Sequence, residues 1–315
     1  MDPLIILSGP TAVGKTSLSI ELAKKIGGSI ISADSMQVYK GMDIGTAKIT
    51  EDERQGIPHY LIDIVEPSND FNIVSFKELA SASIEEIRNF GRIPIIVGGT
   101  GFYIQSVLYD IDFTTHDDDE AYRHKLTELI NEQGAEYVHK MLEESDPVAA
   151  KNIHFNDHKR MIRALEYHRQ TGLRISDHNR DEHQKRPIYD FCYFVLTDDR
   201  QKIYERINKR VDEMIEAGLV EEVKTLLAGK ASPANVSMQG IGYKEIISYL
   251  EGKITLEEAT DLIKKNSRHF AKRQLTWFKR ERDIIFIDKR YDTDPLDTII
   301  STIKKAGIIN ERRYV

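Results

Sequence analysis

The segment GPTAVGKT at residues 9–16 has the residue types and spacing of a phosphate-binding loop. Gly9 and Gly14 permit the backbone turns that point N–H groups at phosphate oxygens. Lys15 would place a positive charge on the terminal phosphates, and the Thr16 hydroxyl suits Mg²⁺. The segment therefore predicts a di- or triphosphate site, without indicating which molecule carries the phosphates. The predicted phosphate-binding residues are Gly9, Pro10, Thr11, Ala12, Val13, Gly14, Lys15 and Thr16.

Asp34 lies just past the apolar run SIIS, which reads as the second strand of the chain. Ligands of open parallel sheets bind beyond the carboxyl ends of the strands, so Asp34 should face whatever reacts at the bound phosphate. A carboxylate there can accept a proton from an attacking nucleophile. It could also belong to the shell of a metal ion or cap a helix N-terminus. The residue pattern leaves these three roles open.

A nucleotide hydrolase should also contain a strand of four apolar residues that ends in Asp. We interpret no strand of this sequence in that way, because Asp63 lies inside LIDIV and IPIIV runs into two glycines. The pattern therefore weakens an ATPase interpretation.

Two further segments could contribute to chemistry. GGTGFY at 98–103 fits a tight strand-to-helix turn, and Thr100 within it would project into the same crevice. RHFAKRQLTWFKRER places cations and one tryptophan on a single helical face, which suits RNA because rings stack on bases and arginines bind phosphates. A solvated basic face with the tryptophan in the core is the alternative. The residues on this face are His269, Arg273, Trp277 and Arg280.

Alternating strands and helices must position these residues. Apolar runs predict strands at 4–7, 29–32, 59–65, 93–97, 189–197 and 283–288, and helical patterns fit 16–26, 75–90 and about 255–282. This order predicts an α/β fold with a P-loop-type parallel sheet core flanked by helices. Residues 113–185 are charged and helical in pattern. We interpret them as a helical insertion domain within a core formed by 1–112 and 186–315.

Composition limits the cellular setting and the partners. The 315-residue chain has a net charge of −7, which argues against broad nucleic-acid affinity, but residues 264–282 contain eight cations and one acid. The single cysteine, Cys192, excludes an internal disulfide and fits a reducing compartment. The apolar run near the N-terminus is too short for a signal peptide or membrane span. We expect a cytoplasmic protein that does not contact a membrane.

Taken together and in order, seven segments resemble the bacterial tRNA dimethylallyltransferases, the isopentenyl-diphosphate:tRNA transferase family. The resemblance spans nearly the whole chain, and the zinc-finger tail of eukaryotic relatives is absent. The segments are GPTAVGKT, SADSMQVYKGMDIGTAK, GGTGFY, NDHKRMIRALE, RVDEMIEAGLVEEV, QGIGYKE and AKRQLTWFKR.

The resemblance implies transfer of a dimethylallyl group from dimethylallyl diphosphate to N6 of the adenosine 3′-adjacent to the anticodon, with release of diphosphate. The phosphate loop would then hold that diphosphate rather than ATP, with Mg²⁺ on Thr16. Asp34 would take the proton from the adenine amine. Arg210, which its surroundings alone suggest to be a surface arginine, would grip the pyrophosphate. Lys15, Thr16, Asp34 and Arg210 are thus the implied catalytic residues.

The resemblance also implies a set of contacts to the tRNA anticodon stem-loop. Ser35, Met36 and Gln37 would line the pocket of a flipped adenine, and Thr100 would touch the tRNA at the reaction channel. The full set is Asp34, Ser35, Met36, Gln37, Thr100, Arg123, His158, Lys159, Arg160, Gln239, Gly240, Tyr243, Lys272, Arg273, Gln274, Trp277 and Lys279. We expect a monomer. The competing interpretations are a small-molecule P-loop kinase and a nucleotide-gated RNA-binding protein without covalent chemistry.

Overall fold

A computed structural model describes residues 2–113 and 120–308. The chain divides into two compact units, one formed by Met1–Leu108 with Ile188–Val315 and the other by Tyr109–Pro187. The predicted insertion, 113–185, lies inside the second unit. We refer to these units as the core unit and the insertion unit.

Six strands of the described residues form one sheet in the core unit. They are β1 (Pro3–Ser8), β2 (Gly28–Ala33), β3 (His59–Tyr60), β4 (Ile93–Gly98), β5 (Asp190–Thr197) and β6 (Ile284–Asp288). The strand order is β3-β2-β4-β1-β5-β6, and every pairing is parallel. The predicted α/β class with a parallel sheet is therefore confirmed. Because all strands run the same way, the ends of β1, β2 and β4 meet at one edge.

The described residues also form fourteen α-helices and a short 3₁₀ turn at Ser237–Gln239. The helices are α1 (Lys15–Ile26), α2 (Glu51–Arg54), α3 (Ile73–Asn89), α4 (Gly101–Leu108), α5 (Glu120–Gln133), α6 (Ala135–Ser145), α7 (Pro147–Asn152), α8 (His158–Thr171), α9 (Ile175–Gln184), α10 (Arg200–Glu216), α11 (Leu219–Ala228), α12 (Tyr243–Leu250), α13 (Leu256–Phe278) and α14 (Pro295–Lys305).

The central strands are buried because helices cover both faces of the sheet. Leu4 to Leu7 of β1 are completely buried, and β2 is buried throughout. Helix α1 turns Ile20, Ala23 and Ile26 inward at helical spacing, and it ends at Gly27, whose left-handed backbone lets its N–H bond the Ala23 carbonyl. Burial thus fixes the positions of the strand and the helix that flank the phosphate loop.

Three predictions about the elements are wrong in detail. The third strand was expected over 59–65 but ends at Tyr60, because the left-handed backbone of Leu61 and Asp63 (φ 62° and 56°) breaks the extended run. The basic helix ends at Phe278 rather than near 282. No strand was expected to have four apolar residues followed by Asp, but β6 does, because its four apolar residues are followed by Asp288.

The insertion unit contains α5 to α9. Leu126, Val138, Leu142, Met161 and Leu165 form the centre of its separate hydrophobic core. Helix α7 begins with an N-cap followed by proline. The Asp146 side chain accepts a hydrogen bond from the Ala149 N–H at 2.9 Å, and Pro147 lies in the first turn. The unit therefore has its own packing and its own helix caps.

Within the described ranges, 2–113 and 120–308, no helix is both long and apolar enough to cross a membrane.

Candidate active site

The phosphate loop joins β1 to α1 and turns through left-handed backbone. Gly9, Ala12 and Gly14 have φ values of 145°, 61° and 97°. The value at Gly14, the residue just before the helix, is one that side chains with a Cβ rarely adopt, so glycine is required there. The turn places loop residues at the N-terminus of α1, where free backbone N–H groups favour an anion.

The Lys15 side chain folds back over the loop that precedes it. Its Nζ donates to the carbonyl oxygens of Gly9 and Pro10 at 2.9 and 2.8 Å. Desolvation of the ammonium lowers the pKa of Lys15 from 10.5 to about 8, while Asp34 raises this pKa and Arg210 lowers it. The three charged groups are therefore close enough to interact through the same cleft.

An open cleft of about 480 Å³ lies over the loop. It brings together residues from six segments of the core unit, and the four implied catalytic residues are among them. Its lining includes Thr11, Ala12, Gly14, Lys15, Thr16, Glu21, Asp34, Gln37, Thr46, Ala47, Glu53, Gly99, Arg210, Phe270 and Gln274. The structure places Asp34 in the lining of the same cleft as the phosphate loop.

Asp34 follows β2 directly, and residues 35–38 form a turn rather than an α-helix. Its Oδ1 accepts a hydrogen bond from the Met36 N–H at 2.9 Å, which orients the carboxyl group at the start of the turn. The helix N-cap alternative is therefore wrong, although the side chain does support a local turn. This leaves the proton acceptor and the metal-shell acid as open roles.

Of the three residues after Asp34, Gln37 lines the cleft, and Ser35 and Met36 are not among its lining residues. The Gln37 Oε1 accepts from the Ser32 hydroxyl at 3.2 Å, and its Nε2 makes long contacts of 3.4 and 3.5 Å with the carbonyls of Thr46 and Ala47. Met36 packs against Gly240, where any side chain would collide with the methionine Cε. Ser35, Met36 and Gln37 all remain partly exposed.

Arg210 projects from α10 into the cleft and is partly buried. Desolvation lowers the pKa of its guanidinium, as expected for a charge removed from bulk water. The interpretation as an ordinary surface arginine is wrong. An arginine that lines the same cleft as a lysine of the phosphate loop is suited to bind a diphosphate there.

Gln274 of α13, one of the implied tRNA contacts, lines the cleft but has its side-chain amide bound within the protein. Its side chain is buried; the Oε1 accepts from the Thr11 N–H at 2.9 Å and the Nε2 donates to the Gly99 carbonyl at 3.0 Å. It therefore ties the phosphate loop to the loop after β4. Thr100 lies beside it, with its own N–H bonded to the Ala33 carbonyl at 3.3 Å.

The basic side chains of α13 lie outside this contact. Lys272, Arg273 and Lys279 are exposed, as is Arg280 just beyond the helix. Trp277 is half-buried, because it packs on Gly101, where any Cβ would collide with the indole, and edge-on against Phe102. The face is thus a set of exposed cations around a partly covered ring, with the Arg273 guanidinium over the Phe270 ring, which combines the two alternatives drawn from the sequence.

The implied tRNA contacts in the QGIGYKE segment differ in exposure. Gln239 is exposed and Gly240 partly so, whereas the Tyr243 side chain is completely buried and donates its hydroxyl to Glu222 at 2.7 Å. The implied tRNA contact of the Tyr243 side chain is therefore wrong, because this ring is part of the core.

The insertion unit holds the four remaining implied tRNA residues. The Arg123 guanidinium binds the buried Glu166 carboxylate through Nε at 2.9 Å and Nη2 at 3.3 Å, while its own side chain stays 45% exposed. His158, Lys159 and Arg160 form the exposed first turn of α8. All four side chains are thus at least partly accessible on this unit.

Sequence reasoning missed three residues around the cleft. Glu222 and Lys48 bind the chain segment that follows Asp34, and the Lys289 Nζ donates to the Val13 carbonyl of the phosphate loop at 3.3 Å. Lys289 follows β6 at the ligand-binding edge, so the strand-end rule could have found it. Asp288, the acid at the end of β6, pairs with Arg290 and is not among the residues that line the cleft.

Comparisons with known proteins agree on one family. A family model described as IPP transferase matches residues 37–281. The tRNA dimethylallyltransferase of Lachnoclostridium phytofermentans is 57% identical over 295 residues, which cover 93% of this chain and 94% of that protein.

Two solved structures are similar along nearly the whole chain. The tRNA isopentenylpyrophosphate transferase of Bacillus halodurans has a TM-score of 0.72 and 42% identity, and the match covers 98% of both chains. A eukaryotic dimethylallyltransferase described as acting on tRNA has a TM-score of 0.81 and 30% identity, with 99% of this chain and 81% of that one covered.

Proposed function

The chain belongs to the IPP transferase family, and we propose that it transfers the dimethylallyl group of dimethylallyl diphosphate to N6 of the adenosine 3′-adjacent to the anticodon in tRNA. The observation that supports this most directly is the meeting of Lys15, Arg210 and Asp34 in one cleft. The two cations suit a diphosphate leaving group, and the carboxylate suits the proton of an attacking amine.

In the proposed reaction the bond between the allylic carbon and the diphosphate oxygen breaks, and a bond from N6 to that carbon forms. The amine proton passes to the Asp34 carboxylate, and diphosphate leaves with the electron pair of the broken bond. Negative charge grows on the leaving group, so loop N–H groups, Lys15 and Arg210 would stabilise the transition state more than the bound substrate. Removing one such preorganised donor typically costs about 2.7–4 kcal/mol of that stabilisation.

Lys15 must give up part of its hydrogen bonding to the loop to serve this role. In the free protein its ammonium is satisfied by the carbonyls of Gly9 and Pro10. A diphosphate in the loop offers anionic oxygens in place of neutral carbonyls, which raises the pKa of Lys15 again and keeps it protonated. The negative charge of the substrate would thus offset the effect of desolvation on Lys15.

Mg²⁺ fits the same place as part of this proposal. The Thr16 hydroxyl lines the cleft beside Lys15, and the carboxylates of Glu21 and Glu53 line it as well. No group of three or more His, Cys, Asp or Glu side chains within 2–113 and 120–308 is arranged to hold a metal ion. Thr16 and the substrate diphosphate would therefore hold the ion together. When bound, Mg²⁺ would neutralise charge on the departing diphosphate.

For the acceptor, the exposed cations of α13 and of the first turn of α8 suit phosphates of an RNA stem-loop. A base must leave its stack to enter the cleft, and a single-stranded loop lowers that cost. Ser35, Met36 and Gln37 would line its pocket, with Thr100 at the channel. We expect the protein to act as a monomer in the cytoplasm.

The test is incubation with unmodified tRNA and radiolabelled dimethylallyl diphosphate, beside a parallel assay of ATP hydrolysis. We expect label in the RNA, on the adenosine next to the anticodon, with no ATP turnover. Label on no RNA would refute the proposal, and phosphoryl transfer from ATP to a small molecule would support the kinase interpretation instead.

A further inference from the structure

The segment RVDEMIEAGLVEEV contains Arg210, and a second of its side chains also reaches the site. It forms the end of α10 and the start of α11, joined through Gly218. Glu222, in the first turn of α11, extends its side chain to the loop at residues 43–47, which we name the rim. The two helices therefore reach two different parts of the site.

Glu222 binds the rim through its backbone. Its Oε2 accepts from the N–H groups of Asp43 at 2.9 Å and Ile44 at 2.7 Å, and its Oε1 accepts from the Gly45 N–H at 3.1 Å. The Oε1 also accepts the Tyr243 hydroxyl at 2.7 Å. Hydrogen bonds to an ionised carboxylate are about twice as strong as neutral ones, so one side chain fixes three consecutive peptide groups.

Two buried groups fix the rim from below. The Tyr243 ring lies against Gly45, where an added Cβ would be 2.6 Å from the ring, so the rim sits directly on this tyrosine. Burial, together with Glu222, raises the pKa of Tyr243, which stays a hydroxyl donor at any ordinary pH. The buried Lys48 ammonium binds the Tyr39 carbonyl at 2.7 Å and the carboxylates of Asp43 and Asp63.

The rim faces the reaction site. Thr46 and Ala47 line the cleft, and their carbonyls lie 3.4 and 3.5 Å from the Gln37 amide nitrogen. These carbonyls, together with the Ser32 hydroxyl 3.2 Å from Oε1, are the polar neighbours of the Gln37 amide. Gln37 is one of the residues assigned above to the pocket of the adenine base, so the rim stands on the acceptor side of the cleft rather than in the phosphate loop.

We propose that Glu222 is a positioning residue for the acceptor adenine: it holds the rim, and through the rim it sets Gln37 and the cleft wall. The inference rests on the proposed function above. One pair of helices would then supply Arg210 to the diphosphate and Glu222 to the acceptor side. A fault in Glu222 should therefore impair transfer to tRNA without weakening the binding of diphosphate.

The variant Glu222→Gln keeps the size of the side chain but turns one acceptor oxygen into an NH₂ group that faces N–H donors. The matched control is Glu221→Gln, the same change at the preceding residue, which is exposed and pairs with Lys224. Three measurements are made: single-turnover transfer at saturating tRNA, the affinity for inorganic diphosphate with Mg²⁺ by calorimetry, and hydrogen exchange of the amides of 43–45.

We expect Glu222→Gln to slow single-turnover transfer at least tenfold, to speed exchange at 43–45, and to leave diphosphate affinity within twofold of wild type. Glu221→Gln should match wild type in all three. Faster exchange with an unchanged transfer rate would overturn the proposal, as would equal losses of transfer and of diphosphate affinity. Failure of the wild type itself to label tRNA would instead refute the proposed function.

If Glu222→Gln does not fold, Tyr243→Phe decides the question, because it removes only one of the four hydrogen bonds. It must slow transfer while diphosphate affinity stays unchanged, and a wild-type transfer rate would overturn the proposal.

Discussion

Keeping Lys15 charged inside the free cleft should make the protein less stable below pH 8 than it would be with the same lysine uncharged. The pKa of Lys15 is about 8 in the folded protein against an ordinary 10.5, so the unfolded chain binds more protons between these values. Stability linked to Lys15 must therefore rise as pH rises through this window. With 1.36 kcal/mol per pKa unit, the gain between pH 7 and 9.5 comes to about 2 kcal/mol.

The variant Lys15→Met isolates this contribution, because every other titrating group changes stability in both proteins. Urea unfolding is followed by the fluorescence of Trp277, the single tryptophan, which lies in the same unit as Lys15. The free energy of unfolding of wild type minus that of the variant should rise by about 2 kcal/mol from pH 7 to 9.5. Lys25→Met, an exposed change on the same helix, should give a flat difference.

A flat difference for Lys15→Met would show that the ammonium is not desolvated, and a falling difference would show that a partner stabilises its charge. The lowered pKa of Lys15 also predicts weaker binding of diphosphate at high pH. Affinity for inorganic diphosphate should decline above pH 8 in the wild type, since the free ammonium loses its proton there, and the decline attributable to this lysine should vanish in the variant.

Three further changes test other parts of the site. Asp34→Asn preserves the oxygen that accepts the Met36 N–H but removes the base, so single-turnover transfer should fall by about 10²–10⁴-fold with tRNA affinity within twofold; a near-normal rate would refute the base role. Arg273→Ala combined with Arg280→Ala should weaken tRNA binding and lower its salt slope by about 0.7–0.9 per lost phosphate contact, and an unaltered slope would remove α13 from the RNA interface. Lys289→Met should reduce affinity for inorganic diphosphate by roughly tenfold. The lysine holds the Val13 carbonyl, and because the peptide is planar the Gly14 N–H then points in the opposite direction. Unchanged affinity would count against this role.

Local patterns in the sequence predicted the features that depend on near neighbours. The phosphate loop, its flanking strand and helix, and the place of Asp34 at the end of β2 all follow from residues within a few positions of each other. The strand rule then placed Asp34 and Thr100 at one edge, since parallel strands end together. The family resemblance was equally local, because it rests on seven short segments.

Contacts between distant segments could not be predicted in this way. Nothing near Arg210 in the chain indicates that α10 aims it at Lys15, and nothing near Gln274 or Tyr243 indicates that their side chains are buried. The third strand failed for the same kind of reason, because Asp63 is held by Lys48 in a left-handed turn that overrides the β pattern of HYLIDIV.

What the sequence by itself determined, then, is the chemistry at hand: a loop for phosphates, an acid at a strand end and a basic helix. Only the tertiary structure decided which of these residues face the cleft and which hold others in place. Direction of a side chain depends on packing between elements far apart in the chain, and Glu222 and Gln274 reach their partners across 177 and 263 positions. Such pairings leave no period or spacing in the sequence that could predict them.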